Sequence, residues 1–460
     1  MGLTGADAPA GAEPGSPGRN AGTVAVPVPA RRDRWEQQVL ADPQLLGDIA
    51  FAVGGPFHLM YPARVVDNIR AFQRVFTESR VSGTVYYGKK ANKAACVARA
   101  CATAGAGIDI ASTGELTAAL GQGIRGSELM VTGPEKSDEL HWLAARHDCL
   151  IAVDSIGELK RLAASDIPMR VLLRALPAAS ASRFGMSAEE LDHAVSEAAE
   201  YPSISVQGFS FHLSGYDPIP RADMAGQLLD RCRAARSLGH PATIISLGGG
   251  FGVDYVPATE WSAFQQQVTR RWFHSGKAFE SYYPYSFPEP GPAMLATILE
   301  RDDLAGRLRR TDTTVAVEPG RALLDRAGST VFRVQGGKTR HEHGQPYRIL
   351  TVDGSSLSLS EQWFDSEYLP DPVLWPEEPG TPTATVVGAA TCLESDMLSW
   401  RRIPLPRAAV PGDLLIYPNT AGYQMDSNES PFHELPLPPK VVLSEAPGGR
   451  YRWALDQSCQ

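Results

Sequence analysis

The chain has 460 residues, 43% of them hydrophobic and 21% charged, with 52 acidic against 43 basic side chains and a net charge of −9. That length exceeds one ordinary core and predicts two domains. The negative balance, with no basic run, argues against nucleic acid as a partner, and no apolar run is long enough to span a membrane. The N-terminus lacks a charged stretch followed by an apolar one, so no secretory signal is expected and a cytoplasmic location is. The six cysteines (96, 101, 149, 232, 392, 459) are scattered without a CxxC pair, the pattern of reduced thiols.

Residues 1–30 are rich in Ala, Gly and Pro. They carry too little apolar surface to offset the entropy of ordering, which predicts a disordered tail. Residues 31–55 form an N-terminal segment, helix-like over 31–52, expected to pack with the C-terminal part of the chain. An apolar strand follows over 57–61. Short apolar runs then alternate with amphipathic helical runs. The predicted strands are 84–88, 107–110, 129–132, 150–154, 169–175, 206–213, 243–247 and 314–318. Predicted helices between them include 113–122, 187–200 and 221–238, with Ser187 and Glu190 spaced as a capping box. Eight strands separated by helices are what a (β/α)8 barrel requires, here over 56–325. A doubly wound sheet would use five or six of them. The aromatic, Pro-rich stretch 273–292 follows the seventh strand. It is either a piece of active-site rim or a plain surface excursion.

After Arg321 the helical period fades. Short alternating strands at 331–334, 347–352, 383–388, 413–417 and 440–443, separated by Pro and Gly, predict a C-terminal all-β domain over 326–460. The fold class is therefore α/β, a (β/α)8 barrel plus an all-β domain. His341 and His343 lie in a polar hairpin with no further ligands near in sequence, which fits solvated surface better than a metal site.

Function in a barrel collects at the C-terminal ends of its strands. Those ends carry Lys89 and Lys90, then Asp109, Arg174, His212 with Ser214, Gly248-Gly249-Gly250, and Glu318-Pro319-Gly320-Arg321. Residues without Cβ let backbone N–H groups approach an anion closely, and Arg321 adds a fixed, bidentate cation. A phosphate site, a lysine able to form a Schiff base and a carboxylate together suggest pyridoxal 5′-phosphate. A carboxylate facing the pyridine nitrogen would keep that ring an electron sink.

The motifs now carry a resemblance. Tyr87-Gly88-Lys89-Lys90-Ala91-Asn92, Gly107-Ile108-Asp109 through Glu115, Ser182-Arg183-Phe184-Gly185, Gly208 through His212, Leu247 through Phe251, Glu318-Pro319-Gly320-Arg321, Thr391-Cys392-Leu393-Glu394-Ser395-Asp396 and Ala421-Gly422-Tyr423 stand in order. The chain resembles the ornithine/diaminopimelate/arginine decarboxylase family, pyridoxal-phosphate enzymes of the alanine-racemase-like fold. The resemblance implies a barrel plus a β domain and a homodimer with shared active sites. It makes Lys90 the Schiff-base lysine, because it precedes Ala-Asn. It puts His212 against the cofactor ring and Glu318 at its nitrogen. Ser214, Gly249, Gly250, Gly320, Arg321 and Tyr423 fall at the phosphate. Asp109 and Arg174 are supporting polar groups. Cys392, given by the partner subunit, is the proton donor to Cα, with Asp365 and Asp396 toward the substrate.

The sequence also departs from the family. Ser214-Gly215 reverses the usual Gly-Ser order. Leu393 stands where an acid commonly follows the cysteine, and 432–438 replaces the usual C-terminal segment. These departures mark a divergent branch, expected in secondary metabolism, whose substrate is an amino acid or a derivative of one. A racemase of the same fold and a non-catalytic homologue binding a protein partner are the alternatives. The first is disfavoured by Lys93-Ala94-Ala95 after the motif and by the Cys392 motif. The second is disfavoured by retention of Lys90, His212, Glu318 and Arg321 together.

Overall fold

The computed structural model describes residues 24–178, 181–342, 344–361 and 366–457. Most of the predicted tail, His343, Asp365 and Cys459 fall outside these residues. The tail expectation fails for its last part. Ala25 and Val28 are buried, because the Val28 amide donates to Asp371 and the Ala25 amide to the Arg402 carbonyl. Two small apolar residues suffice once backbone hydrogen bonds hold them in a seam.

Strand β1 (Phe57–Met60) opens the series. The next eight strands are β2 (Gly83–Gly88), β3 (Gly107–Ile110), β4 (Leu129–Val131), β5 (Leu150–Val153), β6 (Met169–Arg174), β7 (Ile204–Ser210), β8 (Ile244–Ser246) and β9 (Thr314–Val317). They close into a barrel in sequence order, every pair parallel, with Val85 of β2 registered on Val317 of β9. All eight correspond to the expected strands. The helices Thr113–Leu120, Ala188–Ala198 and Pro218–Ser237 lie where the periodicity put them. The capping box at Ser187 is made in both directions.

Side chains two apart on a strand share a face, and this fixes the site. Tyr86, Met130, Leu172 and Ile244, from alternate strands, form an inner layer with Leu150 and Ala316. That is the filled interior of such barrels. Two residues further along, β6 and β9 bring Arg174 and Glu318 to the open end, one layer above Leu172 and Ala316. Ser246 stands above Ile244 in the same way. Lys90 follows two residues after Gly88, which ends β2.

The second body is a nine-stranded sheet built from β1, β10 (Gly328–Glu342), β11 (Gln345–Val352), β12 (Val373–Trp375), β13 (Thr383–Gly388), β14 (Met397–Leu405), β15 (Leu414–Tyr417), β16 (Lys440–Ala446) and β17 (Arg450–Leu455). Most pairs are antiparallel; β1–β16 and β11–β13 are parallel. Expected with the barrel, β1 instead pairs antiparallel with β10. The helices Arg34–Leu40 and Pro43–Val53 bury Trp35, Val39, Leu46 and Ile49 on the same sheet, against Val331, Ile416 and Val441.

The stretch 273–292 is mixed, with Ser275, Glu280, Ser281 and Glu289 exposed and its central tyrosines buried. Tyr283 and Tyr285 have no exposed surface and pack edge-on against Tyr255 at 5.9 and 5.6 Å, so these two rings form a wall behind the site while the rest of the stretch runs over the surface. His341 is exposed on β10. Among the described residues no His, Cys, Asp and Glu side chains cluster to hold a metal ion, and no helix is long and apolar enough to cross a membrane. Cys96, Cys101, Cys149, Cys232 and Cys392 are free thiols.

Candidate active site

The two lysines that end β2 separate at once. Lys89 is buried, with its ammonium 3.5 Å from the Lys93 carbonyl, and burial holds it below the usual lysine range. Lys90 stands in the barrel mouth, its side chain 58% exposed, with Nζ 4.0 Å from Asp109 Oδ2. The Asp109 charge is the main cause of its raised pKa. Asn92 makes this split possible. Fully buried, it accepts from the Ala94 amide at 2.9 Å and donates to the Ala421 carbonyl at 2.8 Å. The Tyr423 amide donates to the Ala91 carbonyl at 2.8 Å. One loop of the second body thereby clamps the lysine turn and brings Tyr423 to it.

Two carboxylates share the mouth, Asp109 buried and Glu318 half-buried. Asp109 accepts from Thr132 Oγ1 at 2.6 Å; burial, then the nearby Glu318 charge, push it up to about 7. Glu318 accepts from Ser246 Oγ at 2.5 Å and is raised by burial, while Ser246, Lys90 and Arg174 oppose the rise. Arg174 is not a free cation, because it pairs with Asp154 at 3.2 Å. Asp154 also feels the Lys136 charge, so Asp109 and Glu318 are left to share Lys90, and burial raises both carboxyls. A pyridinium beside them would favour their charged forms.

His212 lines the same mouth. Its Nδ1 accepts from the Gly249 amide at 3.2 Å, which puts the neutral ring's proton on Nε2. Burial and the charges of Lys90, Arg174 and Arg221 push its pKa down to about 3. The glycines around it have no room for side chains. A Cβ at Gly249 would lie 2.7 Å from the Glu318 carbonyl oxygen, and one at Gly250, where φ is +80°, 2.4 Å from Arg221 Nη2. A Cβ at Gly320 would meet Tyr423 Oη at 2.9 Å. Such a cradle of bare backbone fits a phosphate.

Arg321 is buried in a ring of aromatics, its guanidinium 4.2 Å from the Tyr283 ring centre and 4.9 Å from that of Tyr423. It donates to Tyr255 Oη at 3.0 Å and lies 3.7 Å from the buried Glu361. Ser214, in the reversed Ser-Gly pair, is exposed on the loop after β7. Beneath that loop, Arg221 donates to the carbonyls of Leu213, Gly215 and Asp217.

Not every expected residue gathers here. Cys392 is exposed on the loop between β13 and β14, with Sγ 3.2 Å from His433 Nε2. Asp396 is committed to its own chain, accepting from the Ser356 amide at 2.8 Å and from Thr391 Oγ1 at 2.5 Å. Asp365 lies outside the described residues. Sequence reasoning missed Ser246, Thr132, Arg221, Tyr255, Glu361 and His433. Only Ser246 carried a signal, two residues before the glycines on the face of Ile244.

A closed barrel whose mouth pairs a lysine with two carboxylates beside a glycine cradle belongs to the class that binds a phosphorylated carbonyl cofactor. Residues 63–325 match the family model for the pyridoxal-binding domain of pyridoxal-dependent decarboxylases. The chain is 36% identical over 420 residues to the uncharacterized protein y4yA of Sinorhizobium fredii, covering 88% of this chain and 91% of that one. It is 23% identical over 424 residues to diaminopimelate decarboxylase of Bacillus subtilis, covering 86% and 88%. In fold it matches Helicobacter pylori diaminopimelate decarboxylase complexed with L-lysine, with a TM-score of 0.70, 19% identity, and 90% and 97% covered. The arginine decarboxylase of a Paramecium bursaria Chlorella virus matches with a TM-score of 0.67, 19% identity, and 87% and 99% covered. The chain belongs to the pyridoxal-dependent decarboxylases of the ornithine/diaminopimelate/arginine type, and pyridoxal 5′-phosphate is its cofactor.

Proposed function

We propose that this protein decarboxylates an amino acid or an amino-acid derivative, with Lys90 as the amine that takes the cofactor's aldehyde. The observation that carries this reading is Lys90 standing 4.0 Å from Asp109 in the barrel mouth, with Glu318 fixed by Ser246 on the same face. Pyridoxal phosphate, when bound, supplies the sink for the electron pair left on Cα as carbon dioxide departs. Glu318, held by Ser246, is the carboxylate for the pyridine nitrogen. His212, fixed by the Gly249 amide, presents a neutral ring to one cofactor face. Gly249, Gly250, Gly320, Arg321, Ser214 and Tyr423 hold the phosphate, while Arg174 sets the charge balance around Glu318. Lys90 accepts and returns protons at Nζ, and Asp109 fixes where that amine stands.

Cys392 Sγ donates the proton that replaces the carboxylate. It does so in the partner's site of a homodimer, since within one chain it sits on the second body and not in the mouth beside Lys90. The substrate end differs from that of enzymes for basic amino acids. Leu393 offers no charge to a distal amine, and Asp396 is already engaged by its own chain, which points to a modified, carrier-bound or carboxylated amino acid. Such a substrate suits a branch serving secondary metabolism. A screen of L- and D-amino acids, N-acylated forms and carrier conjugates for carbon dioxide release tests the reading. Loss of the Cα proton label without carbon dioxide from every active compound would make the protein a racemase.

A further inference from the structure

We propose that His433 is the positioning residue of Cys392, holding its thiol and returning a proton to it after each transfer. The inference rests on the reading of Cys392 as proton donor and adds the group that serves it. Cys392 Sγ and His433 Nε2 are 3.2 Å apart and come from separate segments, the loop between β13 and β14 and the turn at Phe432–Glu434. The backbone holds the imidazole there under strain. His433 and Glu434 both adopt left-handed φ, +59° and +57°, a conformation that non-glycine residues take at an energetic penalty. The Phe432 ring, 4.3 Å from the imidazole by ring centres, braces it from the preceding position. Prolines at 431, 436, 438 and 439 stiffen this segment.

The pair borders a space where chemistry can occur. Leu393 and Phe432, the immediate neighbours of the two residues, line a cavity of about 480 Å³. The charged groups facing that cavity are Lys277, Glu361, Glu367 and Asp396; Glu394 and Glu434 flank the pair in sequence. Asp396 is engaged by Ser356 and Thr391, which leaves His433 as the base in direct contact with the sulfur.

The proton count is met through such a partner. Each decarboxylation consumes one proton at carbon. Cys392 S–H supplies it and becomes a thiolate. Imidazolium Nε2 of His433 returns one proton to sulfur, and the neutral ring regains one from water. The net transfer is water to imidazole to thiol to substrate carbon.

The test uses the holoenzyme and His433→Gln, whose side chain is exposed in both forms. The alkylation rate of Cys392 by iodoacetamide is followed by peptide mass spectrometry from about pH 5.5 to 9. The rate at neutral pH is expected to differ by about ten-fold between the unmodified enzyme and the variant, because the imidazole touching Sγ acts on its proton. Superimposable profiles overturn the pairing. Carbon dioxide release is then measured over the same range for both forms and for Cys392→Ser. The proposal expects His433→Gln to slow release and to change its pH profile. A slower variant with an unchanged profile means a merely structural residue and overturns it. So does a His433 effect that persists undiminished in Cys392→Ser. If no compound yields carbon dioxide, the decarboxylase reading and the proton-return role fall together, while the alkylation profiles separately decide the thiol–imidazole pairing.

Discussion

Lys90 Nζ lies 4.0 Å from Asp109 Oδ2 in the barrel mouth, whereas its neighbour Lys89 turns into the wall toward the Lys93 carbonyl. Adjacent lysines of identical chemistry thus acquire opposite settings. One is held as an ammonium by a carboxylate, and the other is disfavoured as a cation by burial. The difference follows from the tight turn at Lys89–Ala91 and from Asn92, which ties the turn to the loop at 421–423.

The two substitutions should therefore behave differently. Lys90→Ala is expected to remove the visible absorbance of protein-bound cofactor and to lower carbon dioxide release by at least about a hundred-fold. Lys89→Met keeps most of the buried stem and removes a poorly paired charge. It should retain the absorbance and leave stability unchanged or raised by about 1 kcal/mol. Spectra and thermal melts of both variants check this. Full turnover by Lys90→Ala would contradict the assignment.

The bond from Ser246 to Glu318 makes a pH prediction. Burial raises the Glu318 pKa, and the Ser246 hydroxyl, by stabilising the carboxylate, holds part of that rise back. Deleting the hydroxyl lets the pKa climb further. The acid limb of kcat/KM in Ser246→Ala should move to higher pH, with little change on the plateau. An unmoved acid limb would separate Glu318 from the titration that governs activity.

Glu36 offers a stability test away from the site. Its carboxylate is 3% exposed and accepts from Ser329 Oγ. Burial raises its pKa from 4.5 to about 7, with Ser329 and Arg32 opposing. The folded state therefore binds more protons than the unfolded one between those values, and stability falls as pH rises through that window. Glu36→Gln keeps an oxygen for Ser329 and cannot ionise. Its advantage should be absent below pH 4.5, grow across the window and level above pH 7 at on the order of 2 kcal/mol. Denaturant melts at three pH values measure it, and a constant difference would count against the mechanism.

The chain's strands were legible to different degrees for physical reasons. Parallel barrel strands are covered on both faces, so each reads as an apolar run, and the residues that end them stand at the open mouth. That is why Lys90, Asp109, His212 and Glu318 could be picked out together. Phe57–Met60 reads the same way, being buried at all four residues, and only its pairing reveals that it belongs to the other sheet. The strand Met397–Leu405 was obscured by Arg401 and Arg402, which are buried because Asp371 and Glu342 neutralise them. Such partners, 30 and 60 residues away, leave no local trace. The hydroxyl of Thr132 was hidden for the same reason, since it matters only through a carboxylate on another strand, whereas Ser246 at least stood two residues before the glycines, on the face of Ile244.

Substrate choice can be tested at Leu393. This residue is 51% exposed and lines the cavity beside Leu357, Leu359 and Phe432. An apolar group there gains nothing from a distal ammonium and leaves that charge unpaired as it loses water. Leu393→Asp puts a carboxylate next to Cys392, where the resembled enzymes commonly carry one. Because the side chain is exposed, the fold should tolerate the change. The ratio of kcat/KM for a diamino acid over the best apolar or acylated substrate is expected to rise by about ten-fold. The rise should come mainly from KM, since the new charge would meet the distal end of the substrate equally before and during reaction. A ratio that stays constant while both activities drop together would show that Leu393 supports the Cys392 loop instead of facing the substrate.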